Sequence, residues 1–436
     1  MRGVTSLTDH VSEAGQEFTL AYMPDAGKVS VHVIWPNDWA HNSGRPVVGN
    51  LGVELISSGG AGERSATQIK QMINALGSAA SIVTTPDHIY GSFTASVETL
   101  DETLSIVRDV IARPDLDDVR FELLKEAKQK RVEAQQQNPS AKLWSATRQV
   151  LLGNSTLTDY WNNTPIEQVV APLALEDVER WHSETFTGDN VTVAVAGTIE
   201  AAKAGATIDQ LLSELPENRA NATREPLALN TGLTVLLHDE TASLTHMAIV
   251  GLLPASREGG EVAYVVAVSA MGKGSESRLH KAVAKELAEG STIDASIANF
   301  SRDVRVFGIN ATAGSNAAKA TFQSIEQAYR EFRKGNLKDQ EVLRSVVPFV
   351  TSLRSNDKKV DLLAYGLGQL LLDELPKDML LSVMQDSLSL RATDINQRIT
   401  DRYPKWEELV KVIVSNNADI IEADCVVTRI EELSGC

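Results

Sequence analysis

The side chains best suited to chemistry are thinly spread along these 436 residues. The eight histidines are His10, His32, His41, His88, His182, His238, His246 and His280. No two lie within five residues of each other, so no helix can present a histidine pair at i and i+4. On a predicted helix over about 45–57, Glu54 sits in the run Leu51-Gly52-Val53-Glu54-Leu55. Positions i, i+3 and i+4 share one helix face, and here that face carries a single carboxylate between two leucines. A leucine has no lone pair to offer, and one carboxylate does not hold a catalytic metal. His238-Asp239-Glu240 has ligand chemistry but falls at a predicted strand end, where a solvated turn is the plainer reading. No G-x-S-x-G, G-x-x-x-x-G-K-[ST] or G-x-G-x-x-G occurs. Gly272-Lys273-Gly274 resembles a phosphate loop only superficially. Two cysteines, Cys425 and Cys436, are too few for a zinc-thiolate cluster, and with one at the last residue no structural disulfide is expected.

The elements that would position these groups alternate between strand and helix patterns. Phe18–Tyr22 and Val29–Trp35 flank a turn at Pro24-Asp25-Ala26-Gly27 and read as a hairpin. After the helix bearing Glu54, a second runs from Ser65 to about Leu76, with Ile69, Met72 and Ile73 at helical spacing and Gly77 as its stop. Strands at Ala79–Thr84 and His88–Val97 follow, then a helix at about 100–111 and a long charged one at about 117–136. The apolar run Val191–Ala196 is a further strand. The polar, aperiodic stretch 215–225 reads as a linker between a first domain, 1–214, and a second, 226–436. The second half repeats the first: Leu233–Leu237 and Met247–Leu253 form its opening hairpin. Tyr90-Gly91 maps on Phe307-Gly308 at an offset of 217 residues, and Gly77 maps on Gly290. Strands paired as hairpins and alternating with helices predict an α+β fold, with two homologous domains each built on a mainly antiparallel sheet backed by helices.

Composition narrows the function. A formal charge of −17 argues against nucleic acid, whose phosphates need clustered Lys and Arg. No apolar run approaches the ~20 residues that span a bilayer. The N-terminus lacks the apolar core of a signal peptide, so the chain as given reads as cytoplasmic, or as periplasmic if a leader has been removed.

Several short motifs recur in a fixed order: the turn Ser57-Ser58-Gly59-Gly60-Ala61-Gly62-Glu63-Arg64-Ser65-Ala66, then Ala75-Leu76-Gly77-Ser78 and Val107-Arg108-Asp109-Val110-Ile111-Ala112-Arg113-Pro114. Phe121-Glu122-Leu123-Leu124-Lys125-Glu126, Thr164-Pro165, Asn190–Gly197, Gly272-Lys273-Gly274 and Ser277-Arg278-Leu279 complete the set. In this order they resemble the M16 metallopeptidases of the pitrilysin, insulinase and mitochondrial processing peptidase type, over nearly the whole chain. That family carries H-x-x-E-H at the position of Leu51–Leu55 and a further glutamate about 76 residues beyond the second histidine. The resemblance therefore makes Glu54 a vestigial base position and Leu51, Leu55 and Arg131 degenerate metal positions. Two readings of Glu54 stand: it pairs with Arg131, or it is an exposed glutamate on a helix buried through Leu51 and Leu55. The family's second-domain Arg and Tyr would fall on Lys285 or Glu286 and on Ile293, so both are altered.

The resemblance implies a non-catalytic subunit with no cofactor of its own, zinc being expected only in a partner. That partner would be a zinc-bearing homologue, with self-association as a homodimer the other form. The two would enclose peptides, which add as a strand to a sheet edge. That edge would be Ala79, Ala80, Ser81, Ile82, Val83 and Thr84, with Gly272, Lys273 and Gly274 as a substrate-contact turn. A purely structural M16-derived subunit is the alternative, and an independent enzyme with an unrecognised site is a third reading.

Overall fold

The computed structural model describes residues 3–42, 45–217, 224, 227–285 and 291–436. Most of the expected linker and the Glu286–Gly290 stretch thus lie outside the described residues, Gly290 among them. The chain packs into two compact units. One comprises residues 1–129, 166–225 and 352–384; the other comprises 130–165, 226–351 and 385–436.

The first unit holds a six-stranded sheet of β1 (Ser6–Val11), β2 (Glu17–Tyr22), β3 (Lys28–Pro36), β4 (Ala79–Thr84), β5 (His88–Ser96) and β6 (Thr192–Gly197), in the order β1-β2-β6-β3-β5-β4. The second unit holds β7 (Thr234–His238), β8 (Thr245–Leu253), β9 (Thr292–Ser301), β10 (Val304–Ala313), β11 (Val410–Ser415) and β12 (Cys425–Val427), in the order β12-β7-β11-β8-β10-β9. Both sheets are mixed and backed by helices, in agreement with the α+β expectation.

The two opening hairpins are not hairpins. β6 lies between β2 and β3, parallel to the first and antiparallel to the second, and β11 separates β7 from β8 in the same way. The reason is burial. Val193, Ala194, Val195 and Ala196 are all buried, as is every residue of β11, so neither strand has a face to give to solvent and each takes a central place. The internal repeat survives this correction in detail. Val33 pairs with Gly91 and Val193, and Val250 pairs with Gly308 and Val410, each residue displaced by the same 217 positions.

Each sheet also has a second face to bury, and each does so with a helix from the other half of the sequence. In the first unit the helix Val360–Leu372 sets Val360, Leu363, Ala364 and Leu367 against Ala21, Ala194 and Ala196. Gly368 lies so close to Ile34 that a Cβ there would stand 2.8 Å from its Cδ1. In the second unit the helix Pro139–Leu152 sets Leu143, Ala146 and Val150 against Val235, Val250 and Val412. The small Ala194 and Ala196 make room for this contact on β6. Beside it the first sheet is polar: Ser92 pairs with His32 Nε2 at 2.8 Å, Thr94 donates to Ser30 at 2.9 Å, and Gln369 donates to the Tyr90 hydroxyl at 3.0 Å. Burial drives the His32 imidazole down to about 4, with Asp361 acting in the opposite direction, so this ring is neutral at pH 7.

Cys425 and Cys436 are joined by a disulfide, contrary to the sequence expectation. The bond is reachable because Val427 and Leu433 both pack into the second unit's core, which folds the terminal segment back beside β12.

Leu367→Ala is expected to destabilise the protein by about 2–5 kcal/mol. Amide exchange should quicken in β3 and β6 before β8 and β11; the reverse order would contradict the packing described for this helix.

Candidate functional site

The helix Val48–Ser58 carries the residues singled out from the sequence. It is buried nearly all round: Val48, Gly49, Leu51, Gly52, Val53, Leu55 and Ile56 are inside, Glu54 is half-buried, and Ser57 and Ser58 are exposed. Two glycines in a helix cost about 1 kcal/mol each relative to alanine, so something must require them. That is Trp181, on the helix Leu175–Thr185, whose ring packs so close to the first helix that a Cβ at Gly52 would sit 2.2 Å from Cζ3. At Gly49 the same test gives 3.1 Å to Trp181 Nε1.

Leu51 and Leu55 are both 0% exposed and belong to the main core of this unit. Burying a leucine contributes roughly 1.5–3 kcal/mol, so both side chains stabilise the fold. Glu54 keeps its place on the helix, and its backbone carbonyl accepts from Ser58 Oγ at 2.7 Å. Arg131 is an exposed residue of the helix Asp118–Gln136. The donor set at these positions is Leu, Leu and Arg, which does not fit zinc. Among the described residues no group of three or more His, Cys, Asp or Glu side chains is placed to hold a metal ion. His238 ends β7 and Asp239-Glu240 begin the turn after it, with Asp239 bound to the Lys142 ammonium and to Thr241.

Motifs that are distant in sequence meet just beyond the helix. Gly59 and Gly60 turn the chain where a Cβ would stand 2.8 Å from Leu55 O and 2.6 Å from Arg64 O. Arg64 then donates to Asp109 at 2.7 Å, and Arg113 takes the other carboxylate oxygen at 2.5 Å. Burial alone would raise the Asp109 carboxyl, but these two guanidinium groups hold it below the usual carboxylate range. Gly62 N–H donates to Arg113 O at 3.0 Å and Asp115 N–H to Gly60 O at 2.8 Å. Ser65 and Gln68 form a capping box that starts the helix Ala66–Ala75.

That helix has no buried residue, although Ile69, Met72 and Ile73 give it an apolar side. It stands away from the sheet and leaves a groove of about 690 Å³ against β4, floored by Phe93, Ile106, Val107 and Val110. Among the described residues β4 is the terminal strand of its sheet, paired to β5 alone. Ala79, Ala80, Ser81 and Val83 are exposed, while Ile82 turns in towards the core. The expected peptide edge and this groove are one place. The sequence marks the strand but not the groove; the polar Thr67, Lys70, Gln71 and Asn74 of the facing helix are the available sign that it is poorly covered.

Gly272-Lys273-Gly274 ends the helix Glu261–Gly272 and leads to Ser277, which caps the helix Arg278–Val283. Gly272 packs on β9, where a Cβ would stand 2.3 Å from that of Ala295, and Gly274 has φ +81°. Lys273 is exposed. Arg278 fixes the next turn by donating to both carboxylate oxygens of Glu341 at 2.7 and 2.9 Å. Ile293 lies in β9 opposite Ala311.

Comparison with known proteins agrees with this architecture. Residues 52–159 match the family model described as Insulinase (Peptidase family M16), and residues 172–346 match the one described as Peptidase M16 inactive domain. The chain belongs to the M16 peptidase family. The first match begins at Gly52, one residue past Leu51. No curated protein matches the sequence. Among solved structures, a peptidase M16 inactive domain from Pseudomonas fluorescens superposes with a TM-score of 0.82 at 17% identity, covering 95% of this chain and 98% of that one. A protease from Helicobacter pylori gives 0.78 at 17% identity, with 94% and 99% covered. The ferredoxin protease FusC, as a mutant in complex with Arabidopsis ferredoxin, gives 0.75 at 16% identity over 95% of this chain and 46% of its own. At these identities the likeness is one of fold.

Replacing Leu51 and Leu55 together by histidine is expected to cost roughly 2–4 kcal/mol per site, since each imidazole enters a dry core. Equilibrium dialysis with metal analysis should find no stoichiometric zinc in the double variant; tight one-to-one binding would contradict this account of the site.

Proposed function

We propose that this chain is a non-catalytic M16-type subunit that pairs with a zinc-bearing homologue and presents β4 to peptide substrates. One observation supports the reading: Leu51 and Leu55, which the resemblance sets at two of the metal positions, are fully buried, while among the described residues the nearby strand β4 is paired on one side only. An open edge binds extended backbone through main-chain hydrogen bonds and so accepts many sequences. The ferredoxin protease that shares the fold is seen with a protein bound, which supports a polypeptide ligand here. In such a pair the chain would position substrate, and the partner would supply zinc and the attacking water. The Gly272-Lys273-Gly274 turn is assigned a substrate-contact role on resemblance alone, and the halves 1–214 and 226–436 are taken as the two homologous domains.

Co-purification tests the reading. A zinc-containing M16 partner should be recovered whose peptidase activity falls at least about tenfold when this chain is withheld. A stable complex whose peptidase activity is indifferent to this chain would instead favour a structural subunit. Self-association with peptide binding and no zinc partner would replace the heterodimer by a homodimer.

The Cys425–Cys436 disulfide favours an oxidising compartment over the cytoplasm. Thiols trapped in intact cells should be blocked from alkylation until reduced; two freely alkylated cysteines would place the chain in a reducing compartment.

A further inference from the structure

The groove beside β4 has a composition that selects among extended peptides. Its walls are apolar at Ile56, Ile69, Ile73 and Ile82 and its floor at Phe93, while Ala66, Ala79 and Ala80 keep it wide. Among the described residues that line it, Lys70 is the one of a charged type. Lys70 is exposed and makes no ion pair with any described residue, in a chain whose formal charge is −17. The volume of about 690 Å³ exceeds what one apolar side chain fills and falls in the range of ligand sites.

An added strand would alternate its side chains between the two sheet faces. Those on the face of Ile82 would enter the groove. We infer that the β4 edge takes an extended segment that places a bulky aliphatic or aromatic side chain in the groove and sets a neighbouring carboxylate against Lys70. The carboxylate is either an acidic side chain or the peptide's own C-terminus, since both offer the same oxyanion. This inference rests on the peptide-edge reading above and goes further by naming which peptides are preferred.

The capping box and the Arg64–Asp109–Arg113 cluster define where the lysine helix begins. No residue of that helix is buried, so little opposes a small outward movement to admit a larger side chain. The helix is therefore an adaptable wall, and β4 is the fixed one. Apolar size should be tolerated more broadly than the position of the charge.

The test uses the full chain and labelled ten-residue Ala/Ser-based peptides followed by fluorescence anisotropy. One peptide carries Leu with Asp beside it; others replace Leu by Ser, Asp by Lys, or move the acid to an otherwise neutral C-terminus. Loss of Leu should weaken binding roughly tenfold or more. Replacing Asp by Lys should weaken it about threefold, as an exposed ion pair allows. Lys70→Glu should reverse the order of the Asp and Lys peptides, and because Lys70 is exposed this variant should fold. Ile73→Trp, which fills the groove, should abolish the Leu preference while Ala/Ser peptides still bind. Equal binding by all peptides overturns the inference but leaves the edge reading in place. Binding by none overturns both. A preference unchanged by Lys70→Glu and Ile73→Trp places the selective contacts elsewhere and overturns the inference alone. Retained affinity when the acid moves to the C-terminus identifies the terminal carboxylate as the anion; loss identifies the side chain, and either supports the assignment.

Discussion

Each sheet buries its second face with a helix from the opposite half of the sequence. The face made by Ala21, Ala194 and Ala196 is covered by the helix Val360–Leu372, and the face containing Val235, Val250 and Val412 is covered by Pro139–Leu152. Each helix is supplied by the opposite half, so each compact unit is assembled from three separated segments. The exchange explains why β6 and β11 are central and apolar on both faces. It also explains the small residues at the contact, since the helix approaches until Gly368 meets Ile34.

Within that frame, the helix Val48–Ser58 serves as a core element. Its backbone position is held by the Trp181 ring against Gly49 and Gly52, a contact that leaves no room for a Cβ. Its inward side chains are leucines whose burial stabilises the unit. Beyond it, the glycine turn, Arg64, Asp109 and Arg113 close on one another and fix the start of the next helix. The scaffold around this helix is therefore tightly specified. What remains open is the edge of β4 and the groove behind it.

Much of this was legible in the chain. Local patterning placed most of the strands and the longer helices up to residue 311, because alternation and helical spacing reflect burial directly; the later elements, β11 and the covering helix Val360–Leu372 among them, came only from the structure. The repeat was visible in Tyr90-Gly91 and Phe307-Gly308, and it holds down to strand register. Strand order was not legible: Phe18–Tyr22 and Val29–Trp35 look like a hairpin locally, and only the remote run Val193–Ala196 decides otherwise. β1 was missed because its residues are half-exposed and polar, and β12 because it is three residues long. The disulfide went unseen because sequence position suggested a frayed terminus, whereas Leu433 anchors it. The sequence shows Leu51 and Leu55 on one helix face; that both are fully buried in the core needed the structure.

The central proposal is that the β4 edge binds peptides without a metal in this chain. Hydrogen exchange at the β4 amides, measured with and without an unstructured peptide in the presence of EDTA, tests it most directly. The account predicts slower exchange at Ala79–Thr84 on peptide addition, unchanged by the chelator. Exchange indifferent to peptide, or protection and cleavage that vanish with EDTA, would contradict it.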